Sequence, residues 1–294
     1  MAKNAVIRLD TSQYRTPTQQ ELDNGKDYVK RRNNTALALT AIINNILQDL
    51  LEDIFYLCYN DNTKGVDFKI TDDESRFEEI SELMDDAMEE IFANIQEYSL
   101  KCSDNGLRLN MLLLYLLSLG RGNNNLKSTL GTYMKRFLYD VEALIAAYKN
   151  AGYSITTAIT KAKTSIRNVY QQPEVKAAYK VPGMRATYIA SRGIHYDFGT
   201  GKATVGLSAN GATNVIYLAE TTLKMVWMRS EAMDYKESGA AGYYQLRGSN
   251  YPCQLCDSEV GFHLGLDGII NEPYPHPHCC CYRIPIYSLD KITM

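Results

Sequence analysis

The sequence predicts a mainly α-helical chain, an elongated helical bundle or array with a small C-terminal α+β domain of the zinc-knot kind. Two observations carry this. Apolar residues recur at three- and four-residue steps through most of 34–180, the pattern of amphipathic helices joined by short turns. After Val181-Pro182-Gly183 the chain turns glycine-rich and strand-like, and five of the seven cysteines crowd between Asn250 and Asp290. The reading divides the chain into a polar N-terminal arm (1–33), a helical domain (34–180) and a C-terminal α+β domain (181–294). A Cys/His knot at 253–281 lies in the last of these.

The elements follow in order. Residues 1–32 show no sustained apolar period and are expected to order on a partner or pack late. From Asn34, Leu39, Ile43, Ile46, Leu47, Leu50, Ile54 and Phe55 form one wide stripe that includes Cys58, ended by Asn60-Asp61-Asn62. Thr71 with Glu74 has capping-box spacing and should open a helix to about Leu100. Between Asp72 and Glu90 that helix carries ten carboxylates and one base. Carboxylates in its first turn suit the helix dipole, and the rest form either a solvated face or a dock for a basic partner.

Leu107 to Leu119 is apolar nearly all round, which predicts a helix covered on both sides, within the bundle or by another subunit. Leu130 to Tyr148 is a further amphipathic helix, and Ser154 caps the next, with Pro173 bending or restarting it. A loop or hairpin is expected around Gly199-Thr200-Gly201, then a helix from Thr213 to about Lys236. Tyr243 to Arg247 and Tyr282 to Tyr287 read as strands into and out of the knot, the latter at an edge because of Pro285.

The knot holds the chemistry. Cys253 and Cys256 put two thiols on one turn, a bite that suits a tetrahedral metal. After nineteen intervening residues, His276 and Cys279 offer a second pair. Cys281 competes for the last position, because a Cys-x-Cys pair would close a four-thiolate site; Cys280 and His278 are further competitors. Sulfur and imidazole together favour Zn2+ over magnesium or calcium. A dithiol–disulfide pairing of the same cysteines and simple packing in a loop-rich core remain open alternatives. A closed ligand set leaves no position for a reactive water, so the zinc is read as structural, with no catalytic residue and no enzyme activity expected.

Cys-x-x-Cys-Asp at 253–257, then Gly261, Pro-x-Pro, and His276-Pro277-His278-Cys279-Cys280-Cys281 before a Pro-containing strand together resemble the C-terminal signature of the phage Mu F-like minor head proteins. Arg229-Ser230-Glu231 is similar to the family's Arg-Thr-Glu on the preceding helix. Cys280 stands where that family usually has arginine. The resemblance implies a structural role in head morphogenesis, at the portal or with other capsid proteins. It implies a place in the virion after assembly in the host cytoplasm, with capsid completion or DNA passage as the task. A zinc-supported nuclease is the alternative, and it lacks a visible His/Asn constellation beside the knot.

Composition bounds these readings. Residues 1–150 carry 17 basic and 23 acidic side chains, whereas 151–294 carry 14 and 11. Eight bases against two acids lie between Lys161 and Lys202, a segment that could touch DNA phosphates or an acidic partner. The first residues lack the apolar core of a signal peptide and no apolar run reaches membrane-spanning length, so no membrane partner is expected. A homo-oligomer is compatible with the all-round apolar helix.

Overall fold

The computed structural model describes residues 14, 15, 17–60, 62, 68–120, 125–178, 194–197, 202–205, 210–271 and 279–288. Among them the chain is mainly helical, with a small three-stranded sheet and a cysteine cluster near the C-terminus. It packs as two compact units, Met1–Asn34 with Trp227–Met294, and Thr35–Val226. No helix among the described residues is long and apolar enough to cross a membrane.

In the Thr35–Val226 unit the core is built from amphipathic stripes. Helix α1 (Gln19–Cys58) contributes Leu39, Ile43, Leu47, Leu51, Ile54 and Phe55, each about fully buried. Helix α2 (Glu74–Leu100) adds Ile80, Met84, Ile91 and Ile95, and α4 (Leu126–Asn150) adds Leu130, Met134, Phe137, Val141 and Leu144. Burying each such side chain stabilises by about 1.5–3 kcal/mol, which offsets the entropy of ordering the helices. Helices α3 (Gly106–Ser118), α5 (Ile155–Ser165) and α6 (Pro173–Ala178) complete the unit, with α6 starting at the proline. Ser154 caps α5 as expected, its hydroxyl accepting from the Thr157 N–H at 3.3 Å. Strand β1 (Ile194–Asp197) pairs antiparallel with β2 (Lys202–Val205), Ile194 opposite Val205, while Gly199-Thr200-Gly201 lie outside the described residues.

Three expectations are corrected. The first helix opens at Gln19, inside the stretch expected to be a polar arm, and not at Asn34. Its inward positions there are Gly25, Val29, Arg32 and Ala36, at helical spacing but without large apolar side chains, so no hydrophobic period is visible. The cap of α2 is Asp73, which accepts from the Arg76 N–H at 3.1 Å; Thr71 lies in a 3-10 turn at Ile70–Asp72 just before it. Helix α3 buries one stripe, Arg108, Leu112 and Leu116, half-buries Leu109, Leu113 and Tyr115, and leaves Leu107, Met111, Leu114 and Leu117 exposed, so the bundle alone does not cover it on both sides.

One buried carboxylate ties α4 to the start of α7 (Gly211–Glu237). Asp140 accepts from the Tyr170 hydroxyl and from the Gly211 N–H, both at 2.6 Å, and lies 3.2 Å from Arg136 Nε. Burial outweighs these partners and pushes the Asp140 carboxyl up to about 6. Its value in the unfolded chain is about 3.9. The folded state therefore binds this proton more tightly, and its contribution to stability falls as pH rises from about 4 to about 6. Urea midpoints across that window should show this decline in the wild type and a flatter profile in Asp140→Asn. Superimposable profiles would refute it.

In the other unit the sheet has the order β4-β3-β5, with β3 (Gly242–Leu246) central and antiparallel to both β4 (Gly261–Leu264) and β5 (Tyr282–Ile286). Pro285 pairs with Tyr243 on β5, which flanks β3 on one side as its proline suggested. Between the strands lie α8 (Gln254–Glu259) and α9 (Asp267–Asn271). The N-terminal turns of α1 lie close to β5, and Gly25 is the reason they can. A methyl group there would fall 2.7 Å from the Arg283 carbonyl oxygen.

Candidate metal centre

The centre is assembled from two short segments. Cys253 is the N-cap residue of α8 in extended conformation; its thiol does not cap the helix, while its carbonyl accepts from the Asp257 N–H at 2.9 Å. Cys256 follows on the first turn and is buried. The second segment, Cys279-Cys280-Cys281, leads into β5. The three cysteines have different surroundings. Cys279 and Cys281 are buried with Cys256, whereas the Cys280 sulfur accepts from the Asn33 side-chain amide at 3.5 Å.

The sulfurs of Cys256, Cys279 and Cys281 all lie within 4.8 Å of one another, and Cys253 packs against them half-buried. In a tetrahedral thiolate site with metal–sulfur bonds of about 2.3 Å, sulfurs sit about 3.8 Å apart. Three buried sulfurs at this spacing fit a metal ion with small adjustments. Hydrogen bonding to the Cys279 sulfur, and then burial, hold the Cys256 and Cys281 thiols well above the ordinary thiol range. A bound dication would reverse this by favouring the thiolates, and its binding would release their protons.

Basic groups surround the centre. Arg32, 1% exposed, donates from Nη2 to the carbonyl oxygens of Cys279 (3.3 Å) and Cys281 (3.1 Å). Arg247 pairs with Asp257, donates to the Tyr251 carbonyl, and sits close enough to Cys256 and Cys281 for their charges to interact. Gly248 passes so near the second segment that a methyl group there would lie 1.9 Å from the Cys280 carbonyl oxygen. These contacts hold the cysteine backbone in place and supply positive charge near sulfur.

The Arg-Ser-Glu stretch of α7 supports the same module. Arg229 donates to the Ile270 carbonyl in α9, between the two cysteine segments. Glu231 lies 3.6 Å from Arg283, and the Tyr235 hydroxyl is 3.1 Å from Glu231 and 3.0 Å from the Arg283 carbonyl. Arg283 in turn donates from Nε to Gln245 at 3.1 Å. Burial holds the Glu231 carboxyl above its ordinary value against the pull of Arg283 and Arg32. Arg229 and Glu231, two apart on the helix, thus have separate partners, Arg229 a backbone carbonyl and Glu231 side chains.

Of the five residues singled out from the sequence, Cys256, Cys279 and Cys281 meet, Cys253 adjoins them, and His276 lies outside the described residues, as does His278. His263 is engaged elsewhere: its Nε2 is 2.8 Å from the Glu259 carbonyl, and its ring stacks on Tyr243 at 4.8 Å. In the basic segment, Lys161 pairs with Glu174 at 3.1 Å and Lys163 with Glu52, while residues 179–193 lie outside the described ones. The contribution of Arg32 was not legible, since no local pattern links it to cysteines 247 and 249 residues away. No known family model matches the chain, and no curated protein or solved structure matches it.

Proposed function

We propose that the chain is a structural assembly protein whose C-terminal module is closed by one zinc ion held by Cys253, Cys256, Cys279 and Cys281. The observation that carries this is the meeting of three buried sulfurs from two segments, with Cys253 against them. Thiolate donors at tetrahedral spacing favour zinc, and four protein ligands make the site structural. A sheet of three short strands buries little apolar area alone, and metal binding supplies the missing folding free energy. The resemblance of residues 253–281 to the minor head signature supports a role in phage head morphogenesis, with portal or capsid proteins as partners and the basic segment 161–202 available to DNA.

Elemental analysis of protein purified without a histidine tag should find one zinc per chain, with thiols protected until a chelator is added. The cobalt-substituted protein should show the charge-transfer intensity of four sulfur ligands, retained in His276→Ala and reduced in Cys253→Ser. Absence of metal, with Cys253 and Cys256 cycling to a disulfide, would overturn the zinc assignment. A spectrum altered by His276→Ala and not by Cys253→Ser would transfer the fourth position to the histidine. Mass spectrometry of virus particles and their assembly intermediates from producing cells tests the assembly role; absence from both would reject it.

A further inference from the structure

The two faces of the three-stranded sheet are covered differently. Paired residues of antiparallel strands share a face, and successive residues alternate between faces. Tyr243 and His263 therefore share one face, where Tyr243 packs on Ala232 of α7 and Ile269 of α9. Tyr244, Phe262 and Ile284 form a row across the other face, with Leu264 and Ile286 in the next row. The rings of Tyr244 and Phe262 meet edge to face at 5.4 Å, as residues on one side should. An apolar sheet face is stable only when a further element packs on it. Here the cover thins across the strands. Ile284 and Ile286 on β5 are buried, Tyr244 and Phe262 are half-buried, and Leu264 on β4 is 45% exposed.

The chain itself begins to cover this face. Tyr14 bridges Ser288 just past the end of β5, and the Arg15 N–H donates to the Tyr287 carbonyl at 3.1 Å. From there the Tyr14 ring packs on Phe262 of β4, with centroids 5.0 Å apart. Thirteen residues precede Tyr14 and lie outside the described ones. Fully extended they would reach about 43 Å, against about 10 Å between the outer strands of a three-stranded sheet. Their sequence suits such a face. Ala5, Ile7 and Leu9 alternate with Val6, Arg8 and Asp10, so an extended chain has one wholly apolar side and one bearing two charges. The run is too short to register as a sustained period, but it matches strands of four and five residues. Attachment at Tyr14 also gives it an effective concentration that a free strand lacks. We propose that residues 5–9 form a strap across the Tyr244–Phe262–Ile284 face, with Ala5, Ile7 and Leu9 inward. The proposal concerns the sheet and does not rest on the zinc assignment.

The test uses the full chain with a photoactivated benzophenone amino acid in place of Ile7, or in place of Arg8 as the outward control. Cross-links from position 7 should fall on 242–246, 261–264 and 282–286, and those from position 8 should not. Mixing isotopically light and heavy protein before irradiation shows whether a cross-link lies within one chain. In a second measurement, Ile7→Asp/Leu9→Asp should speed amide exchange in the three strands at least about tenfold, with Val6→Asp near the wild-type rate. Circular dichroism should show unchanged helix content in every variant. Cross-links from position 7 that miss the sheet would overturn the proposal, as would equal exchange in the Ile7/Leu9 and Val6 variants. Cross-links found only between light and heavy chains would also overturn it, since the strap would then come from a second copy.

Discussion

If the proposed zinc closes the module, Cys256→Ser is expected to release it and unfold the module formed by 227–294 with the first turns of α1. Structural zinc sites bind with an apparent free energy of about 10–16 kcal/mol, and in small modules that binding is folding free energy. Serine presents a hard oxygen where a soft, buried sulfur stood, so the loss should be on the order of 5 kcal/mol or more. Zinc content should fall from one per chain to near zero. Hydrogen exchange should lose protection in Gly242–Leu246 and Tyr282–Ile286, the two strands that the cysteine segments brace. Protection along α4 should persist, because its core residues belong to the other unit. Full zinc content with unchanged exchange would mean that the three sulfurs are packed thiols and nothing more.

The second large effect is expected at Arg32. Replacing it with methionine keeps most of the buried volume but removes the donor to the carbonyls of Cys279 and Cys281. Two buried acceptors then lose a charged partner, at about 1–3 kcal/mol or more, and Glu231 loses a nearby positive charge. Groups that orient metal ligands typically change affinity by about 10–100-fold when removed. Arg32→Met should therefore lower both melting temperature and zinc affinity in a chelator competition, and Arg32→Lys should restore only part of either. A loss of melting temperature with unchanged affinity would reduce Arg32 to a core residue without influence on the site.

Much of this architecture can be read from residue spacing, for reasons that differ between elements. The stripes of α1 beyond Asn34, α2 and α4 announce themselves because large aliphatic side chains occupy nearly every inward position. The first half of α1 does not, since its inward positions are filled by glycine, valine, arginine and alanine. Of these, Gly25 allows close approach to β5 and Arg32 serves the cysteine carbonyls, so neither adds to a hydrophobic stripe. The cysteine pairs were legible through their spacing. The separation of Cys280 from its neighbours was not legible, because spacing alone leaves Cys279, Cys280 and Cys281 as rival candidates. The all-round apolar pattern of α3 predicts cover by the bundle or by another subunit, and the bundle leaves Leu107, Met111, Leu114 and Leu117 exposed, because periodicity reports how apolar a face is and says nothing of what lies against it.

The contact between Arg32 and Cys281 also sets a schedule. The two residues are separated by 249 positions, so the N-terminal turns of α1 leave the ribosome long before their destination exists. At about 5–20 residues per second that interval is about 12–50 s. Closing so long a loop is slow, and the unit it completes has few local contacts to nucleate it early. The helical unit between the two partners can form in the meantime. The cysteine module can close only once Cys281 has been made, so its first segment waits, folded into a helix, for a partner that arrives much later.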